Sequence, residues 1–284
     1  MTMSISKSGA KQKVVKANRK MKPWIRRFGR FGMMAKGIVF SFIGILAVMA
    51  ALGLGGKTTG TKGVFYSLAG IPFGEGLLLI IGIGLVGYIV WQLIKAIKDP
   101  EDKGHDMKGI VTRSGYFISA IIYSSLSFNA IKVALHAGSA GGSGSEKTLS
   151  AKMLSYPLGQ WIVGLVGVVI IIYGLSEIVS GYKEKFMRKF NVGKMSQHER
   201  RIARNSGKIG LISRGIVLSM VGSFFIQTAI TANPNHTKGL GGALSELAKQ
   251  PYGQWLLGIV GFGLILYGLY GVIKGRYEYT SFGN

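Results

Sequence analysis

Apolar positions along this chain come in blocks too long for a water-soluble core. Six stretches without Asp, Glu, Lys or Arg cover residues 37–56, 76–94, 114–131, 153–176, 215–237 and 250–273, each 18 to 24 residues long. About 20 mainly apolar residues cross a bilayer core, so the pattern predicts six transmembrane helices. Three of the connections are rich in Gly, Ser and Thr (55–63, 138–145 and 237–242). Each is followed by a short amphipathic stretch, 64–69, 149–154 and 243–248. These stretches are expected to lie at the outer membrane surface.

The blocks also repeat. Aligned on proline, the second spans read Pro72–Phe73–Gly74–Glu75, Pro157–Leu158–Gly159–Gln160–Trp161 and Pro251–Tyr252–Gly253–Gln254–Trp255. Ten residues after each proline stands Gly82, Gly167 or Gly261, and sixteen after it Tyr88, Tyr173 or Tyr267. The first spans open on Arg30–Phe31–Gly32, Arg113–Ser114–Gly115 and Lys208–Ile209–Gly210. Lys36–Gly37 and Arg214–Gly215 follow in the first and third copies, where the second has Ser119–Ala120. Matched positions 83–95 residues apart identify three copies of one unit. Each copy holds two spans, so all three enter the membrane in the same direction, around an axis normal to it.

The division that follows is a basic tail over 1–23 and three repeats over 24–106, 107–196 and 197–284. Their spans are placed at about 34–55 and 74–96, 114–135 and 157–180, and 209–232 and 251–274. The expected fold is all-α and integral to the membrane. Six transmembrane helices come from three parallel two-helix repeats around a pseudo-threefold axis.

The three-copy pattern of [Arg/Lys]-x-Gly, [Lys/Arg]-Gly, Pro-x-Gly-[Gln/Glu]-Trp, glycine and tyrosine resembles the bacterial membrane family known as domain of unknown function 1206, over residues 24–275. The resemblance implies a six-helix bacterial membrane protein and carries no activity with it. The chain departs from the pattern at Ser119–Ala120 and at Gly76, which stands where the other copies have tryptophan.

Charge adds an orientation. The chain has 35 Lys+Arg against 11 Asp+Glu and a mean hydropathy of +0.34. Ten basic residues and no acid lie between Lys7 and Arg30. With the N-terminus inside, 28 basic residues fall on the cytoplasmic side and 7 on the other, in agreement with the positive-inside rule at every loop. Both termini are therefore expected on the cytoplasmic face of a bacterial inner membrane. This topology accounts for the basic excess without a nucleic-acid partner. It leaves anionic lipid, or a protein at the cytoplasmic face, as the expected company.

Candidate chemistry is sparse. Without cysteine there is no thiol catalysis and no cysteine-ligated metal. The four histidines (His105, His136, His198 and His236) lie in loops or at helix ends, and no catalytic triad, P-loop or dinucleotide fingerprint occurs. No catalytic, cofactor or metal site is assigned, and the chain is expected not to be an enzyme.

Three sets of residues still invite a role. Ser41, Ser124 and Ser219 sit in small-residue stripes with Gly37 and Gly44, Ala120 and Ser127, and Gly215 and Gly222. They serve either close helix packing or an axial polar path. Glu75, Gln160 and Gln254 share one position near the outer start of the second spans, as helix caps or as a polar ring on the axis. Arg30, Lys36, Arg113, Lys208 and Arg214 gather at the inner leaflet, where they snorkel to phosphate or form a pocket for an anionic lipid. Tyr88, Tyr173 and Tyr267 read as an inner aromatic belt, and Trp161 and Trp255 as an outer one. The reading is thus a non-enzymatic lipid- or partner-binding scaffold, with a passive channel or transporter along the axis as the alternative.

Overall fold

The computed structural model describes residues 23–56, 58–99, 104, 106–135, 145–156 and 158–278. The basic tail over 1–22 and the loop residues 136–144 lie outside the described residues. Among the described residues the α-helices are α1 (Pro23–Ala51), α2 (Thr61–Ala69), α3 (Gly74–Lys98), α4 (Met107–Ala134), α5 (Ser145–Leu154), α6 (Gly159–Tyr182), α7 (Gln197–Thr231), α8 (Leu240–Ala248) and α9 (Gly253–Tyr277). Six of them, α1, α3, α4, α6, α7 and α9, are long and apolar enough to cross a membrane. Repeat 1 contributes α1–α3, repeat 2 α4–α6 and repeat 3 α7–α9, each with two spans flanking a short helix.

Local sequence explains where the helices begin. Asp106 caps α4 by accepting from the Gly109 amide at 3.1 Å. Ser196 and Glu199 form a capping box at the start of α7. In the Pro-x-Gly turns, a Cβ on Gly74, Gly159 or Gly253 would collide with the last carbonyls of the preceding short helix, at Leu68, Met153 and Ala248. The turn into each second span therefore needs glycine at this position.

Between repeats, the first span of one packs on the second span of the preceding one: α4 on α3, α7 on α6 and α1 on α9. The small-residue stripes build these interfaces. Gly37 and Gly44 of α1 meet the backbone of α9 at Gly268 and Gly261, and Gly215 and Gly222 of α7 meet α6 at Gly174 and Gly167. On α4, the Ser127 hydroxyl donates to the Gly82 carbonyl of α3 at 2.8 Å. Lipid tails provide no hydrophobic drive for helix association, so such close backbone approach is what holds the spans together.

Within repeats 1 and 3 the hairpin is closed, with α1 against α3 and α7 against α9. In repeat 2, α4 and α6 form no comparable interface. The repeat-equivalent residues give the reason. Ala35 faces Gly84, and Ser213 faces Gly263. The same positions in repeat 2 hold Ile118 and Val169, both exposed. A Cβ on Gly32 or Gly210 would collide with the backbone of Tyr88 or Tyr267, whereas Gly115 has nothing within 4 Å. The six spans form a ring open between α4 and α6.

The middle of the ring, on the side of the short helices, is filled. Contrary to the surface placement expected for them, α2 and α8 enter the bundle. Val64, Phe65, Ala243 and Leu244 have no exposed surface and join the core with Ile43, Leu78 and Leu257. Their apolar faces are complete enough to pack against the spans, and their amides are satisfied by helix formation. Irregular backbone at membrane depth is tolerated only when buried in protein in this way. α5 is different, and packs on α6 and on the 3₁₀ turn Pro234–His236.

Candidate functional site

The opposite half of the ring, towards the basic end, holds charge. Lys36 of α1 and Arg214 of α7 occupy one repeat position, one residue before the stripe glycines Gly37 and Gly215. Packing of those glycines on α9 and α6 sets the helix rotation, and both cations turn inwards. Lys36 stands fifteen residues from Ala51, about 22 Å along the helix, within a hydrocarbon core of about 30 Å.

Aromatic rings surround both cations. Lys36 Nζ lies 5.0 Å from the ring centroids of Tyr88 and Tyr123 and 5.9 Å from that of Tyr267, and it donates to the Tyr88 hydroxyl at 3.3 Å. The Arg214 guanidinium carbon is 4.9 Å from the Tyr267 ring, 5.3 Å from Phe40 and 5.6 Å from Tyr173. Phe40 meets Tyr267 edge-on at 4.9 Å, and Tyr88 meets Tyr123 at 4.7 Å. Each cation–π contact contributes roughly 0.5–2 kcal/mol. Arg214 also forms an ion pair with Glu177 of α6.

Hydrogen bonding in the cluster is incomplete. Arg214 Nε and Glu177 Oε2 are buried without a partner, although the residues are only 7% and 8% exposed. The Lys36 ammonium has three N–H donors, of which the Tyr88 hydroxyl takes one. At their ordinary charges, Lys36 and Arg214 against Glu177 give this centre one positive charge in excess.

The aromatic-belt reading of the three repeat tyrosines is corrected here. Tyr88 and Tyr267 are 8% and 7% exposed and line the cation cluster, because the closed hairpins of repeats 1 and 3 bring them inside. Tyr173, in the open hairpin, is 49% exposed and covers Arg214 from the side of the gap. Trp161 and Trp255 are widely exposed at the other end of the bundle, as a belt requires.

The other singled-out residues are dispersed. The Ser124 and Ser219 hydroxyls donate one turn back, to Ala120 and Gly215 at 2.8 and 2.9 Å, and Ser41 packs against Gly268. Glu75, Gln160 and Gln254 are second residues of α3, α6 and α9. Glu75 is half-buried and the two glutamines are exposed, while α2 and α8 occupy the middle of that end. Among the five basic residues, only Lys36 and Arg214 come together. Arg30 donates to the Glu278 carbonyl at 3.4 Å, Arg113 donates to the carbonyls of Ala96 and Ile97 at 2.8 and 3.1 Å, and Lys208 is exposed.

Glu177, Tyr123 and Phe40 are cluster members that sequence reasoning had not placed there. The available signal was Glu177 itself, an acid at the end of an otherwise uncharged span and on the same side as Arg214. A second buried contact closes the basic end below the cluster. Glu278, 3% exposed, pairs with Lys95 at 3.4 Å and Lys274 at 3.7 Å, and Phe190 forms a lone antiparallel bridge with it.

These features define a six-span, three-repeat membrane protein with a packed axis and a buried cationic centre. A family model described as Domain of Unknown Function (DUF1206) matches three times, over residues 31–99, 114–184 and 209–278. The chain belongs to that family. It is 42% identical over 266 residues to a Bacillus subtilis (strain 168) protein described as "Uncharacterized protein YxxB", an overlap of 94% of this chain and 96% of the relative. No solved structure matches the chain.

Proposed function

We propose that the protein is a non-enzymatic membrane scaffold that engages anionic lipid through the basic end of its bundle, with that end and both termini on the cytoplasmic side of the inner membrane. The packed axis carries this reading, because it leaves the basic end as the surface where charge is presented. Lys98, Lys183, Arg188, Lys194, Arg200 and Lys208 are all exposed there. A surface of this kind attracts acidic headgroups by about 1 kcal/mol per cation, with screening over a Debye length.

Reconstitution in nanodiscs tests the reading. Phosphatidylglycerol should raise the unfolding midpoint over phosphatidylcholine alone, salt should reduce the gain, and removal of residues 1–22 should diminish it. Equal midpoints in the two lipids at low salt would count against the proposal.

The alternative, a passive path for a small solute, has one feature in its favour. A cavity lined by Lys36, Phe40, Thr61 and Tyr123 lies within the ring. Its volume is about 10 Å³, space for about one water molecule. This reading predicts solute flux in proteoliposomes that falls when Ser41, Ser124 and Ser219 are replaced by Leu.

A further inference from the structure

The open hairpin of repeat 2 leads to the cationic centre from the side. Ile118 and Ile122 of α4, one turn apart, share the face that in repeats 1 and 3 closes on the second span. Val39 and Val217, the repeat equivalents of Ile122, are 3% and 0% exposed, whereas Ile122 is 54% exposed. Val169 and Tyr173 stand on the α6 side of the same gap, likewise exposed. Behind Tyr173 lie Arg214, Glu177 and Lys36. The gap therefore has apolar walls for most of its length and a positive, under-bonded end.

We propose that this seam between α4 and α6 holds one acidic phospholipid, whose phosphate bonds to Lys36 and Arg214 and whose acyl chains lie between Ile118, Ile122 and Val169. A phosphate supplies the acceptors that Arg214 Nε and the Lys36 ammonium lack, in charge-assisted hydrogen bonds. A hydroxyl on the headgroup, as in phosphatidylglycerol, supplies a donor for the unpartnered Glu177 Oε2. Net positive charge at the end of an apolar cleft selects an anionic lipid over a zwitterionic one, and over an apolar helix from another protein. Ionisable groups within membrane spans are costly and mark functional sites. The same cluster in a closed hairpin would admit no ligand, as the collisions at Gly32 and Gly210 show for the equivalent gaps of repeats 1 and 3. This deepens the lipid-binding reading but rests on different residues from the basic surface.

The test is lipid retention by the full-length protein, purified from nanodiscs containing phosphatidylcholine and phosphatidylglycerol, delipidated in neutral detergent and analysed by native mass spectrometry. About one phosphatidylglycerol per chain should remain. Lys36→Gln should lower its affinity about tenfold or more, as expected for the loss of a charged hydrogen bond, whereas Lys36→Arg should retain it. Ile118→Ala with Val169→Gly, which copies the closing pair of repeat 1 and leaves every charge in place, should also expel the lipid. Circular dichroism and gel filtration establish that each variant is folded. Removal of residues 1–22 should leave the retained lipid unchanged, which separates this site from the basic surface.

Undiminished retention in folded Lys36→Gln overturns the proposal. Equal retention of phosphatidylcholine does so as well, since it identifies a non-selective boundary lipid. Displacement of the phospholipid by inorganic phosphate alone would assign the site to a free anion and overturn the lipid assignment.

Discussion

Removing the Glu177 carboxylate probes the buried centre most sharply. Arg214 and Glu177 are each more than nine-tenths buried, and they join α6 of repeat 2 to α7 of repeat 3. In Glu177→Ala the guanidinium keeps its ring contacts with Tyr267, Phe40 and Tyr173 but loses its counter-charge. Breaking a buried pair from one side costs about 3–5 kcal/mol, and the cation–π contacts are already present in the parent, so they offset none of it. Glu177→Gln keeps an acceptor for Arg214 and should cost less, about 1–3 kcal/mol. Replacing both members, as Arg214→Met with Glu177→Met, should recover most of the loss, because apolar substitutes avoid the desolvation cost of the pair. Reversible unfolding in mixed micelles with increasing sodium dodecyl sulfate, followed by circular dichroism, gives the three free energies. The reasoning is refuted if Glu177→Ala costs under about 1 kcal/mol, or if the double variant is as unstable as Glu177→Ala.

The same titration checks the repeat interfaces. Gly44→Ala should destabilise by about 1–3 kcal/mol, since its Cβ would stand 2.5 Å from the Gly261 carbonyl and 2.6 Å from the Ile265 amide. Gly115→Ala, with nothing within 4 Å, should be neutral or should stabilise α4 by up to about 1 kcal/mol. Asp106→Ala removes the cap of α4 and should cost about 1 kcal/mol. Hydrogen bonds from Lys238 and Lys249 hold the Glu246 carboxyl below its ordinary value of 4.5. Its folded-state value being the lower one, this contribution is present above the ordinary value and is lost as pH falls through the folded one. Glu246→Gln should therefore lower stability in the neutral region, leave the acid end of a stability–pH profile little changed, and so flatten its acid limb.

Much of the architecture was legible because membrane spans and repeats leave marks in one dimension. Uncharged runs have the length of a bilayer, and Pro72, Pro157 and Pro251 keep glycine and tyrosine in register behind them. The packing role of Gly37, Gly44, Gly215 and Gly222 follows from the same spacing, since small residues on one helix face admit a neighbour. What escaped was direction. A lysine or arginine at a helix boundary looks the same whether it snorkels to phosphate or turns into the bundle, and the glycine contacts with another repeat decide which. Lys36 and Arg214 turn in, while Arg113 reaches the carbonyls at the end of α3. The short helices were similarly ambiguous, because an amphipathic stretch suits a membrane surface or a core. Phe65 and Leu244 went to the core because the ring left room for them. The departure at Ser119–Ala120 was visible in sequence, but the adjacent pair Ile118 and Val169 acquires meaning only once the hairpins of repeats 1 and 3 are seen closed on Ala35–Gly84 and Ser213–Gly263.

The ring with one open hairpin and a filled axis is tested most directly by an electron cryomicroscopy map of the full-length protein in nanodiscs. The account predicts continuous packing of α1 on α3 and of α7 on α9 at Tyr88 and Tyr267, a gap between α4 and α6 beside Tyr173, and side-chain density of Phe65 and Leu244 filling the axis. Closure of α4 on α6 as in the other two repeats, or a water-filled channel along the axis, would contradict it.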